Sequence, residues 1–172
     1  VFVEPIEQLL YLTAENLHSS GIIANENKDS ILSIYQIAKS SRIVSDSLTL
    51  LTSKKLFPLD PISASCLTIA IQRYGQNERT LFSFLSDMSE GSIKSFEPTA
   101  NLTFNLAKVY DYISYNFYTA LTETNADSMN WRAMRVAIER VESGVISASY
   151  TNKCLELIKV IGLLNLFYSG IT

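Results

Sequence analysis

The helical spacing of apolar residues is the feature that most constrains this chain. Apolar side chains recur at helical intervals almost everywhere, and no clear alternating strand is flanked by turn residues. This pattern predicts an all-α fold, an irregular bundle of about seven helices that forms one compact unit or two small helical subdomains. The longest predicted helix spans about five turns over residues 102–122. Its apolar stripe consists of Leu106, Tyr110, Ile113, Phe117 and either Ala120 or Leu121.

Two prolines mark the predicted boundary between subdomains. Pro58 and Pro61 restrict the residues before them to extended or turn conformations. Asp60 can then cap a new helix in which Pro61 is the first residue. We therefore divide the chain into an N-terminal helical segment, residues 1–57, and a second helical region, residues 58–172.

Two shorter helices are predicted from the same spacing. One runs over about residues 43–51. The other runs over about residues 78–87 and is expected to bury Leu81, Phe82 and Leu85.

The last two predicted helices lie after residue 125. Gly162, in the final helix over about residues 149–167, is expected to permit a close approach of a neighbouring element. The residues expected to be buried are Trp131, Met134, Ile138 and Val141 in the first helix and Cys154, Ile158, Ile161 and Leu164 in the second.

The composition is rich in apolar residues and poor in charge. Of the 172 residues, 47% are hydrophobic and 18% are charged, which excludes a disordered tail and indicates apolar surface that a partner covers. The chain begins at Val1, and we interpret it as a fragment of a longer protein. The net charge of −3 argues against nucleic-acid binding through a bulk electrostatic field, but leaves a local basic patch open.

We expect neither a membrane span nor a signal peptide. The longest apolar segment, residues 155–168, contains Glu156, Lys159 and Asn165, so it is too short and too polar to cross a bilayer. Residues 1–12 have no basic head of the kind that signal peptides carry. The sequence therefore predicts a soluble, cytoplasmic protein.

The sequence contains no recognisable catalytic or metal-binding constellation. The six glycines are scattered, and none precedes Lys-Ser or Lys-Thr, so these residues hold no P-loop. His18 is the only histidine, and Cys66 and Cys154 are far apart, which argues against zinc and against Ser-His-Asp or Cys-His catalysis. We therefore expect no catalytic residue, no metal site and no cofactor here, and two buried free thiols.

A basic group and an aromatic group in the second half of the chain can each be interpreted as a binding surface or as ordinary helix surface or packing. Arg132, Arg135 and Arg140 could contact nucleic acid or a partner, or could simply face solvent, because Arg135 forms an i,i+4 pair with Glu139. The three tyrosines at 112, 115 and 118 could stack on bases. Core or partner packing is favoured for them because few basic residues are interleaved.

Residues 76–85 (QNERTLFSFL) place polar side chains directly ahead of an aromatic helix. Arg79 lies in the first turn of that helix, where a cation opposes the helix macrodipole unless an anion or a carboxylate such as Glu78 or Asp60 compensates. Such an arginine either binds phosphate presented by another domain or forms a salt bridge between helices.

Four segments carry a resemblance to a known group of proteins. They are residues 58–64 (PLDPISA), 76–85 (QNERTLFSFL), 109–113 (VYDYI) and 157–167 (LIKVIGLLNLF). In this order they resemble the helical region downstream of the nucleotide-binding core in large bacterial P-loop ATPases, relatives of the AAA and STAND groups that include phage-defence systems. The resemblance covers about residues 56–168.

The resemblance implies a lid and an adjoining helical domain whose Walker motifs, with ATP and Mg²⁺, lie in an upstream part of the parent chain. Arg79, with Glu78, would then couple nucleotide state to helix position by contacting the γ-phosphate. One departure is Asp60, where the family pattern leads us to expect histidine. Our first hypothesis is therefore a non-catalytic lid, regulatory or assembly domain that works with the nucleotide-binding domain of the same parent chain.

Two alternatives come from other classes of protein. The first is a stand-alone helical interaction module that binds a protein partner or a second copy of itself through its apolar surplus. The second is a DNA-binding helical domain that uses Arg132, Arg135 and Arg140.

Overall fold

The protein is all-α, as the apolar spacing predicts. The computed structural model describes residues 6–19, 28–75, 78–88, 91–96, 103–122, 126–145 and 148–169. These residues contain nine α-helices, a number close to the predicted seven. The helices are α1 (Ile6–Ser19), α2 (Lys28–Ser40), α3 (Leu50–Lys55), α4 (Pro61–Tyr74), α5 (Glu78–Ser86), α6 (Leu106–Asn116), α7 (Tyr118–Thr122), α8 (Ser128–Arg140) and α9 (Ala148–Tyr168).

Helices α6 and α7 replace the single helix predicted over residues 102–122. Phe117 separates them, because its backbone angles of −114° and 18° depart from helical geometry. Residues 101 and 102, where the predicted helix begins, lie outside the described residues, and α6 starts after Asn105. The Asn105 side chain accepts a hydrogen bond from the backbone N–H of Lys108 at 3.2 Å. The predicted stripe is confirmed, since its members Leu106, Tyr110, Ile113, Phe117 and Leu121 are all buried.

The prediction of a helix over residues 43–51 is wrong. Helix α3 begins only at Leu50, because Thr49 takes the capping position and accepts a hydrogen bond from the backbone N–H of Thr52 at 3.1 Å.

The segment between α2 and α3 is a series of turns that imitates helical spacing. Arg42 has a left-handed φ of 54°, which prevents α2 from continuing. Val44 and Leu48 are nevertheless buried against Ala38, so their spacing of four residues reflects packing rather than a helix.

Helix α4 is the centre of the bundle. It packs against α1, α2, α6 and α9, and its Leu67 and Ile71 are fully buried. The main core combines side chains from residues 1–57, such as Leu9, with side chains from residues 58–172. The N-terminal helices are thus joined to the rest by shared apolar packing.

The first turn of α4 has the predicted cap. The Asp60 carboxylate accepts hydrogen bonds from the backbone N–H of Ser63 at 2.8 Å and from the Ser63 hydroxyl at 2.6 Å. Pro61 is the first residue of the helix, where its missing N–H costs nothing.

Helices α8 and α9 pack closely because Gly162 has no side chain. A Cβ atom at Gly162 would collide with the side chain of Met134 on α8. The predicted close approach is confirmed. Helix α9 also packs against α4 and α6, so one side of it faces the body of the bundle.

Candidate functional site

Helix α5, which carries Arg79, is firmly anchored in the core. Leu81 and Leu85 are buried as predicted. Phe82 is exposed, so the prediction that it is buried is wrong. Phe84 is buried instead, with its ring centre 4.7 Å from that of Tyr112 in an edge-to-face contact. The two phenylalanines are two residues apart and therefore point about 200° apart around the helix, so only one can face the core.

Arg79 is exposed at the second position of α5, and it takes part in no ion pair found between the described side chains. The side chain of Glu78, its predicted companion, lies outside the described residues. Asp60 is not its counter-ion, because that carboxylate is buried and already bonded to Ser63. Burial raises the pKa of Asp60, and the hydrogen bonds from Ser63 oppose this shift. Arg79 is thus presented to solvent at a helix N-terminus.

The three arginines of α8 are also exposed. Arg132, Arg135 and Arg140 all lie on the part of α8 that faces solvent. Glu139 is exposed on the same side, one turn after Arg135, and falls between Arg132 and Arg135 around the helix axis. The basic side of α8 is therefore interrupted by a carboxylate.

The three tyrosines near the end of α6 separate into two kinds. Tyr112 is buried, and burial raises the pKa of its hydroxyl to about 12. Tyr115 and Tyr118 are exposed. The three do not form one stacking platform, because Tyr112 is packed against Phe84.

The strongest polar cluster was not predicted from the sequence. The Tyr74 hydroxyl donates a hydrogen bond to the Asp127 carboxylate at 2.6 Å, and Trp131 Nε1 donates to the Tyr74 oxygen at 3.1 Å. Arg73 Nη1 lies 3.2 Å from the same carboxylate oxygen of Asp127. Its guanidinium also lies 5.0 Å from the centre of the Phe167 ring.

This cluster joins three helices. Arg73 and Tyr74 end α4, Asp127 precedes α8, and Phe167 belongs to the last turns of α9. Burial raises the pKa of Tyr74, and the hydrogen bond to Asp127 raises it further, so the phenol stays protonated and donates. We expect the cluster to position helices, because its polar groups are bonded to one another.

The local sequence does not indicate this cluster. Asp127 occupies the cap position of α8, but its side chain forms no capping hydrogen bond. The hydroxyl of Tyr74, a partly buried residue of α4, donates to the carboxylate instead. That competition between local and distant partners is invisible in the sequence.

A shallow polar groove of about 260 Å³ lies between α6 and α9. Lys159 and Asp111 form an ion pair across it, with a distance of 2.7 Å between Nζ and the carboxylate oxygen. Lys108 and Glu156 also line the groove. Asp111 and Glu156 are exposed, and Lys159 is partly covered but paired with Asp111.

Helix α9 has an apolar inner face and an apolar outer face. Leu163, Leu166 and Phe167 are buried in the main core. On the opposite side Leu157 is 58% exposed and Ile161 is 62% exposed. A surface helix normally has one apolar stripe, and a helix that is apolar all round is usually buried on all sides.

None of the four residues predicted to be buried in α9 is fully buried. Ile161 is exposed, and Cys154 is only partly buried although both cysteines are free thiols as predicted. Ile158 and Leu164 are also only partly buried. The error has one cause: the prediction chose the apolar stripe that faces outward, and α9 has a second one that faces the core.

The outer stripe follows a heptad repeat. Tyr150, Cys154, Leu157 and Ile161 are separated by four, three and four residues, and we call these four residues the outer face of α9. Leu164 and Tyr168 continue the spacing, but they pack against the core, where the Tyr168 hydroxyl donates to Ser65 Oγ at 2.9 Å. The stripe is therefore uncovered in its N-terminal part and covered by the core in its C-terminal part. The uncovered part has the spacing of the contact stripe in a helix pair.

None of the described helices combines the length and the apolar character needed to cross a lipid bilayer. The described residues also contain no group of three or more His, Cys, Asp or Glu side chains arranged to hold a metal ion. No family model, no curated protein and no solved structure matches the chain. Its function must therefore be argued from its own surface.

Proposed function

We propose that this chain is a helical interaction module whose binding surface is the outer face of α9. The observation that carries the proposal is the uncovered half of the heptad stripe. Three of its four members, Tyr150, Leu157 and Ile161, are large apolar side chains that are more than half exposed. Their spacing matches one side of a helix pair, so the partner surface is best supplied by a second helix.

The remainder of the fold supports this role by holding α9 rigid. Gly162 brings α9 against Met134, and the Lys159–Asp111 ion pair ties it to α6. The cluster around Tyr74 and Asp127 packs beside Phe167 near the C-terminal end of α9. A preorganised surface loses less entropy when it binds, which increases affinity.

Site-specific photo-crosslinking in the complete protein, in its own host, tests this proposal. A photoreactive residue at 157 or 161 should give discrete protein adducts, because a bound helix would lie within reach. The matched control is position 129, since Met129 is an exposed apolar residue of α8 outside the outer face. Equal adduct yields at 129, 157 and 161 would refute the proposal.

One observation also favours a second function, the coupling of a nucleotide-binding domain to helix position. Arg79 is exposed in the first turn of an anchored helix, where an anion would be favoured by both the guanidinium and the macrodipole. In this reading ATP bound upstream in the parent chain favours the closed position of α5 because Arg79 bonds to phosphate only there.

The second function is tested by ATP hydrolysis of the complete protein. Arg79→Ala should lower the hydrolysis rate or the nucleotide affinity, and Arg132→Ala, an exposed arginine on α8, serves as the matched control. If both variants hydrolyse and bind ATP like the original protein, Arg79 has no role in coupling.

A further inference from the structure

We draw no further inference here: the strongest candidate, the exposed apolar stripe on the outer face of α9, carries nothing beyond the proposed function, because nothing in the structure shows what covers it.

Discussion

The inner and outer faces of α9 have nearly the same hydrophobicity but opposite environments. Leu163 is fully buried on the inner face, whereas Leu157, about two turns earlier, is more than half exposed on the outer face. Both faces carry leucine, so residue type does not explain the difference. The difference comes from which side the rest of the bundle covers, and it separates residues that stabilise the monomer from residues that are available to a partner.

The largest effect should come from shortening an inner leucine. Leu163→Ala should lower the free energy of unfolding by about 2–5 kcal/mol, because it removes buried methyl groups and leaves a cavity. Leu157→Ala should change the free energy of the monomer by less than about 0.5 kcal/mol. Urea unfolding of the two variants measures both changes, and equal losses of stability would contradict the distinction between the two faces.

A smaller effect should come from the polar cluster that supports the inner face. Tyr74→Phe removes the hydroxyl that donates to Asp127 and accepts from Trp131. It should lower the free energy of unfolding by about 1–3 kcal/mol, since two partners lose a hydrogen bond. Tyr115→Phe, which changes an exposed tyrosine, is the matched control and should have no measurable effect.

The effect of pH should be smaller still and should centre on Asp60, which caps the central helix. Burial raises the pKa of Asp60 above its ordinary value of 3.8. The folded protein then holds this proton more tightly than the unfolded chain does. The contribution of Asp60 to stability is therefore greatest at low pH and declines as the pH rises from about 4 through the folded pKa.

Asp60→Asn should remove this part of the pH dependence, because an amide does not titrate. The measurement is the free energy of unfolding of both proteins at several pH values between about 4 and 8, the range above the ordinary carboxylate pKa. The difference between the variant and the original protein should shift in favour of the variant as the pH rises. A difference that is constant with pH would show that Asp60 titrates alike in the folded and unfolded chains.

The sequence predicts the fold class and several helix termini because these depend on local chemistry. Asp60 and Pro61 start α4 as predicted, and the stripe through Leu106 and Ile113 is buried as predicted. The turns around Val44 and Leu48 do not form the predicted helix, because burial at a spacing of four residues is not unique to helices.

The outer face of α9 could not be predicted, for a physical reason. Hydrophobic periodicity identifies the buried side of a helix only when the opposite side is polar. In α9 both sides are apolar, so the spacing of Leu157 and Ile161 is as regular as that of a buried stripe. Only the positions of α4, α6 and α8 decide which side is covered. The hydrogen bond between Tyr74 and Asp127 could not be predicted either, because the two residues are 53 positions apart in the sequence.

Photo-crosslinking from the outer face of α9 tests the central claim most directly. The claim is that the outer face is available to a partner, because Leu157 and Ile161 are more than half exposed while Leu163 is fully buried. A photoreactive residue at position 157 of the complete protein, in its own host, should give discrete protein adducts that the same residue at position 129 does not give. No adduct from position 157, or the same adducts from both positions, would contradict the account.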